Sequence, residues 1–364
     1  MNIVILLPPA KTSHEIDTLR AIPNSTITVI ADHKHHPSAS HPVSSWRIPW
    51  LGSPRRWTAA LAWLRGLSTV NLRNEGGAPD LIISLELFSV TTRQASKLAR
   101  KWNIPHFVYV TEVLDSNPLY RLPPWRGNAR RTVRQLDGVI CWNRAGARHA
   151  TVRGVSPHHI GTVSPGVDTD VFRPLVNESP DRPLVAISVG ELRADKGVMD
   201  VIAGVDAAVG RLPKEFRLVL VGDGPLRDSV ERLADSRPWL DVLGRIPREA
   251  VAGQLRAAGV FILTPHSRPF WVEQLGFAVI EAMACGLPVV VTNCGALSEV
   301  VPDHNPVVPE GDVNAIANGL IAAFGPEGDD WGQKNLQAVA ERYTLKTQGE
   351  RLGMALADMI NRSA

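Results

Sequence analysis

Residues 273–291 read EQLGFAVIEAMACGLPVVV, and the order loop, helix, strand within that run decides the fold class. Just upstream, Val260–Thr264 is an apolar run of strand length, followed by an irregular loop holding Pro265 and Pro269. A helix is expected from near Phe277 to Ala284, and Pro288–Thr292 then returns to a β-branched run. Gly276 allows close backbone approach just before the helix. The N–H groups of such a helix start, with the helix dipole, form an anion site. Glu273 precedes that start and Glu281 lies about one turn into the helix, and carboxylates accept strong hydrogen bonds from hydroxyl groups. Phosphate donors and hydroxyl acceptors therefore stand side by side. Taken alone, the stretch is equally readable as an ordinary strand–loop–helix unit with incidental glutamates.

The same alternation extends outward in both directions. Val185–Gly190 and Arg217–Gly222 read as further strands, with helices expected at Val198–Val209, Leu226–Ala234 and Val313–Ala323. The first half repeats the theme with strands at Ile3–Leu7, Thr26–Ala31, Leu81–Leu85, His106–Val110 and Gly138–Trp142, and helices at Thr91–Trp102 and Arg126–Gln135. Strands alternating with helices predict open α/β sheets. A polar, proline-containing stretch around 166–183 reads as a linker. Tyr343–Ile360 places Leu345, Leu352, Leu356 and Ile360 at helical spacing.

A chain of 364 residues with 44% hydrophobic and 21% charged residues suits two globular domains. No apolar run reaches the roughly 18–20 residues of a membrane span. The N-terminal run ends at Pro8-Pro9 without a basic flank, so it reads as a buried strand and not a signal peptide. Three cysteines, Cys141, Cys285 and Cys294, form no CxxC pair, which points to a reducing cytoplasm. Residues 1–175 carry 21 Lys+Arg against 11 Asp+Glu, and the remainder 18 against 25. The basic half suits an anionic acceptor or the inner face of a membrane, with drift in surface composition as the plain alternative.

Two more stretches carry chemistry. VGELRADKG (189–197) sits at a strand end, where Lys196 is placed to neutralise a diphosphate beside the flexible backbone of Gly197. VLVGDGP (219–225) is another strand-to-glycine turn. Neither is GxxxxGK[ST] or GxGxxG, which disfavours an NAD-linked dehydrogenase. At successive strand ends of one α/β domain they converge on one crevice, and Gly190 and Gly222 line it. With GVDTDVFRP (166–174), these stretches and EQLGFAVIEAMACGLPVV make the chain resemble family 4 of the retaining glycosyltransferases, the glycosyl transferases group 1. Trp271 gives the WxEQxG form of a subgroup. The similarity spans about residues 130–305.

The resemblance implies an α/β protein of the GT-B type, with two Rossmann-like doubly wound domains facing across a cleft. Residues 1–165 would bind the acceptor, 166–183 link, 184–342 bind a nucleotide sugar, and the helix 343–364 cross back to the first domain. Glu281 would hold the ribose and Glu273 the transferred sugar. Lys196 and the backbone of Leu275, Gly276 and Phe277 would hold the diphosphate, and Arg245 and Ile246 would meet the base. The implied reaction moves a sugar, with retention, to a hydroxyl of a glycan, a lipid-linked or a small-molecule acceptor. No cofactor and no metal are expected. Peripheral membrane contact is expected and nucleic-acid binding is not, since no recognition motif accompanies the basic residues. A nucleotide-sugar-binding protein with impaired catalysis, or a GT-B enzyme of other chemistry such as an epimerase, are the alternatives.

The chain departs from the family pattern in three places. Glu191 stands where an arginine usually meets the leaving phosphates, so Arg193 or Arg268 is the expected substitute. Pro8-Pro9-Ala10-Lys11 replaces the usual glycine pair. No histidine follows the strand ending near Val110, and Glu112 or Thr111 takes that place, with His14 and His106 as alternatives. Two weaker signals are the histidines His33, His35, His36 and His41, which read as a polar loop and not a zinc site, and the Trp46–Arg65 stretch. There tryptophans alternate with arginines, as at a membrane interface, an acceptor pocket or a core helix.

Overall fold

The structure is a computed structural model that describes residues 1–6, 14–31, 41–42, 79–115, 120–121, 125–174 and 183–363. The Pro8–Lys11 loop, His33, His35, His36 and the Trp46–Arg65 stretch lie outside these residues. The chain divides into two compact units, Met1–Gly166 with Leu345–Ala364, and Val167–Thr344.

The first unit contains β1 (Asn2–Leu6), α1 (His14–Arg20), β2 (Thr26–Ala31), β3 (His41–Pro42), β4 (Leu81–Leu85), α2 (Val90–Trp102), β5 (His106–Val110), α3 (Trp125–Val133), β6 (Gly138–Cys141), α4 (Arg144–Val152) and β7 (Ile160–Thr162). The strands stand in the order β3-β2-β1-β4-β5-β6-β7, all parallel. A parallel sheet carries helices on its faces, so its strands are buried on both sides and read as unbroken apolar runs. β4 (LIISL) and β5 (HFVYV) are buried at every position.

The second unit contains β8 (Val185–Val189), α5 (Val198–Ala208), β9 (Arg217–Val221), α6 (Arg227–Ala234), β10 (Leu240–Gly244), α7 (Arg248–Arg256), β11 (Val260–Leu263), α8 (Phe277–Ala284), β12 (Val289–Thr292), α9 (Leu297–Val300), β13 (Val307–Val308), α10 (Val313–Phe324) and α11 (Glu327–Arg342). Its parallel order β10-β9-β8-β11-β12-β13 is the doubly wound order, with the reversal between β8 and β11. Its core joins Ile202, Val205, Phe216, Leu218, Ile262, Val290, Ile316 and Leu320. The last helix, α12 (Leu345–Ser363), belongs to the first unit and packs on α1.

The expected strands and helices appear with ends within about three residues. Five helices, α1, α4, α7, α9 and α11, lie outside the expected set. α11 reads EGDDWGQKNLQAVAER, and its buried face includes Gly328, Gly332 and Asn335 as well as Ala338 and Val339. Hydrogen bonds replace part of the apolar contact there. The fully buried Asn335 donates from Nδ2 to the Leu287 carbonyl at 2.8 Å and to Asn305 Oδ1 at 3.0 Å. Its Oδ1 accepts from Asn305 Nδ2 at 2.8 Å and lies 3.0 Å from His304 Nε2. Asn305 Oδ1 in turn accepts the Val289 N–H at 3.0 Å, so the network pins α11 to the start of β12.

A network satisfied on every side leaves several buried polar groups stranded when one member is removed. Asn335→Ala is expected to destabilise the second unit by about 3 kcal/mol. Thermal melting then shifts down by roughly 6–10 °C, while Asn318→Ala on exposed α10 surface shifts it by less than about 2 °C. Equal shifts for the two variants would remove the network from the account of α11.

Candidate functional site

The carboxyl ends of parallel strands lie along one edge of the sheet, and the crevice opens where the strand order reverses. In the second unit that point is between β8 and β11. After β8 the chain passes through Gly190, Glu191 and Arg193, makes a short 3-10 turn (Ala194–Lys196) and reaches Gly197 in the left-handed region, φ 71°. The Gly197 backbone lies against the end of β11: its carbonyl accepts from Thr264 Oγ1 at 2.9 Å. A Cβ here would come within 1.7 Å of the Thr264 carbonyl oxygen, so only glycine allows the two loops to meet. Lys196 is thereby brought to Glu273, Nζ to Oε2 2.7 Å.

The loop from Pro265 to Glu273 is tied down along its length. Ser267 donates its N–H and Oγ to the two Glu310 oxygens at 2.8 and 2.6 Å, and His266 Nε2 stands 2.5 Å from Asp200 Oδ2. The Glu273 carbonyl accepts the Ala296 N–H at 3.0 Å. Trp271 turns its ring toward the cations, with Lys196 Nζ 4.7 Å and Arg193 Cζ 5.8 Å from its centroid. Glu273 is only 9% exposed. Leu275 and Gly276 are buried and lead into α8, which begins at Phe277 with no side-chain cap at Gly276.

Glu281, inside α8, is 8% exposed. Burial raises its pKa from 4.5 to about 7, with Arg248 pulling the other way. Arg248 Nη2 lies 3.5 Å from Glu281 Oε1 and the guanidinium sits over the Phe172 ring at 5.1 Å. Phe172 comes from the GVDTDVFRP stretch, where Asp168 Oδ1 accepts the N–H of Asp170 at 3.0 Å and of Val171 at 3.4 Å. That turn delivers the fully buried Phe172 ring to the floor beneath Arg248.

A pocket of about 250 Å³ opens at the ends of β8, β9 and β10, lined by Gly190, Glu191, Gly222, Asp223, Arg245, Ile246 and valines. Gly222 has φ 147°, and a Cβ there would meet the Gly190 carbonyl at 1.7 Å. The two strand ends approach that closely because residue 222 is glycine, whereas a Cβ at Gly190 would meet only Leu263 Cδ1 at 3.9 Å. Arg193 is not free to face this space. Its guanidinium bonds Asp195 from Nε at 2.8 Å and from Nη2, and Glu191 Oε2 from Nη1 at 3.1 Å. Arg268 is exposed.

The structure thus brings Lys196, Glu273, Leu275, Gly276 and Phe277 to one loop cluster. Gly190, Gly222, Arg245 and Ile246 line the adjoining pocket. Glu281 has Arg248 as a neighbour that the sequence did not flag, because no motif marks an arginine opening a helix. Glu112 belongs to the first unit, where its Oε1 accepts the N–H of Val113 at 3.0 Å and of Leu114 at 2.7 Å, shaping its own loop. Thr111 donates both N–H and Oγ1 to Glu86 Oε1, and Glu86 is a buried residue with φ 67° at the end of β4. His106 is buried between Ser84 Oγ at 2.8 Å and Ser96 Oγ at 3.1 Å, and burial lowers its pKa to about 3. It is a neutral structural tie. Among the described residues no group of three or more His, Cys, Asp or Glu is arranged to hold a metal.

The Glu281 shift has a definite sign. An acid with a raised folded-state pKa binds its proton more tightly folded than unfolded. Its burial therefore costs nothing below about pH 4.5, and the cost grows to about 3 kcal/mol as pH rises through about 7. Glu281→Gln is expected to raise the melting temperature by roughly 5 °C at pH 8 and much less at pH 5. Equal shifts at both pH values would show that Glu281 is not a buried acid.

Residues 174–328 match the family glycosyl transferases group 1. A GDP-mannose-dependent α-(1-6)-phosphatidylinositol dimannoside mannosyltransferase of Mycobacterium tuberculosis is 32% identical over 203 residues, 52% of this chain and 50% of that protein. The corresponding monomannoside mannosyltransferase of Mycolicibacterium smegmatis is 30% identical over 262 residues, 65% of this chain and 66% of that protein. The chain spans about half the length of the first curated relatives it matches. Among solved structures, HepE of Anabaena in complex with UDP aligns with a TM-score of 0.73 at 18% identity, covering 98% of this chain and 100% of that one. Sucrose-phosphate synthase of Thermosynechococcus elongatus aligns with a TM-score of 0.74 at 17% identity over both whole chains. These likenesses show the two-domain GT-B fold, and the family match, with the mycobacterial relatives, identifies residues 174–328 as a glycosyl transferases group 1 segment.

Proposed function

We propose that the protein is a glycosyltransferase that takes a sugar from a nucleotide diphosphate sugar and passes it, with retained configuration, to a hydroxyl acceptor. The observation that carries this reading is the Lys196–Glu273 pair at 2.7 Å across the reversal point of the second sheet. A cation for a departing diphosphate and a carboxylate for sugar hydroxyls meet there, beside the start of α8 and next to the Glu191–Arg245 pocket. Transfer places its heaviest demand on stabilising the leaving diphosphate, which preorganised donors supply without reorganisation. Lys196 is such a donor, held by Glu273 and by the Trp271 face. Glu281 takes the ribose hydroxyls and Leu275–Phe277 the phosphates in this reading. Arg193 contributes field strength and not a free guanidinium, because Asp195 and Glu191 already engage it.

The mycobacterial relatives named above use GDP-mannose and act on phosphatidylinositol mannosides, and the Anabaena neighbour binds UDP. These support a nucleotide-sugar donor and a glycan, lipid-linked or small-molecule acceptor for this chain. A peripheral contact with the inner membrane face fits the basic first half, and no described helix is long and apolar enough to cross a membrane. No metal is assigned a role.

Incubation with UDP-, GDP-, ADP- and dTDP-sugars is expected to release the nucleoside diphosphate from one of them, with an acceptor-linked sugar of unchanged anomeric configuration by NMR. A new nucleotide sugar in place of the free diphosphate would make the protein an epimerase. Lys196→Ala is expected to lower kcat by about 10²–10³-fold, and unchanged turnover in that variant would remove Lys196 from the leaving-group role.

A further inference from the structure

We infer that the nucleotide taken by this site is a guanine nucleotide. The inference rests on the donor-site reading and names the base that the pocket at the ends of β8, β9 and β10 selects. That pocket is lined by Ile246 and valines together with three charged residues, Glu191, Asp223 and Arg245. A flat heterocycle fits between apolar walls, and the charged groups then choose among bases by the donors and acceptors they meet.

The two signs of charge are differently occupied. Arg245 is exposed and makes no hydrogen bond or ion pair with any other described residue. Glu191 is half-exposed and fixed through one oxygen, with Oε2 held by Arg193 Nη1 at 3.1 Å. Asp223 likewise engages one oxygen, Oδ1 accepting the Gly224 N–H at 2.9 Å and lying 3.8 Å from Arg227 Nη1. The lining therefore presents an available guanidinium fork together with two oriented carboxylates. Arginine here has planar paired donors, and an oriented carboxylate accepts two parallel N–H groups.

Guanine is the base that matches both. Its O6 and N7 form the paired acceptors that an arginine reads bidentately. Its N1–H and N2–H₂ form the adjacent pair of donors that a carboxylate accepts. Uracil offers a single N3–H flanked by two carbonyl oxygens, which repel a carboxylate. Adenine places an amine beside N7, which turns a donor toward the arginine. This gives Glu191 a use. The carboxylate that stands where the family pattern has a phosphate-binding arginine becomes a group that reads the base, and Arg193 holds it in place.

Isothermal titration of GDP, UDP and ADP into the full chain tests the assignment. GDP is expected to bind about a hundredfold more tightly than UDP and ADP, about tenfold from each of the two bidentate contacts. Arg245→Lys keeps the charge but loses the fork, and Glu191→Gln keeps the shape but loses the anion. Each is expected to lower the preference of GDP over UDP by about tenfold, with the larger loss falling on GDP. Both positions are exposed, and a melting curve confirms that each variant folds. UDP or ADP binding as tightly as GDP would overturn the guanine assignment and leave the donor reading standing, as would an equal loss for all three nucleotides in the variants. Failure of all three to bind the unaltered chain would overturn both.

Discussion

Parallel strands impose a polarity that no single side chain can supply. In the second unit β8, β9, β10, β11, β12 and β13 all run the same way, so each loop that follows a strand emerges along one edge. Between β8 and β11 the order reverses, and the connections that leave those strands depart in opposite directions. The space left between them is filled only by residues close to the strand ends. Lys196 and Glu273 are 77 residues apart and 2.7 Å apart for that reason. Gly197 is the local condition for this arrangement, since any side chain there would collide with the Thr264 carbonyl.

The pair formed at that point has a particular energetic character. Both side chains are largely withdrawn from water, so their mutual attraction offsets a desolvation cost of comparable size. Removing one partner strands the other, whereas a ligand that offers a phosphate to Lys196 and hydroxyls to Glu273 replaces both contacts at once. The Trp271 ring, 4.7 Å from Nζ, adds a cation–π attraction that does not depend on Glu273. Lys196 thus has a second contact, one that does not require its carboxylate partner. Arg193 has no such latitude, because two carboxylates in its own loop hold its guanidinium.

Most of the fold was legible in the sequence wherever burial on both faces forces an unbroken apolar run. VAISV, RLVLV, VFIL and VVVT became β8, β9, β11 and β12 with their ends displaced by about one residue. Helices whose inner face mixes polar and apolar residues were not. Asn335 in α11 and His149 in α4 are fully buried, and such residues interrupt the 3.6-residue pattern from which a helix is read. The acidic first turn of α11, Glu327, Asp329 and Asp330, with Arg342 at its end, is the signal that marks it. In the candidate site, Lys196, Glu273 and the glycines were legible because strand ends and helix starts carry local signatures. Arg248 beside Glu281, and Thr111 bonded to Glu86, arise from contacts between segments 33 and 25 residues apart. A single sequence contains no record of such contacts.

Glu281 shows how a site departs from what folding alone would select. A carboxyl group 8% exposed inside a helix, with one guanidinium at 3.5 Å, is held near neutral titration at the expense of stability. A leucine or glutamine would pack there without that cost, and in the proposed role the ribose hydroxyls account for the acid. With a pKa of about 7, the group exists in both forms at neutral pH. The neutral form both donates and accepts, whereas the ionised form only accepts. A vicinal diol offering two O–H donors favours the ionised form, and Arg248 on its Phe172 floor supplies the countercharge. In the proposed role, then, the ligand completes the solvation that burial withholds, and the instability of the empty site is the counterpart of its affinity for the ribose.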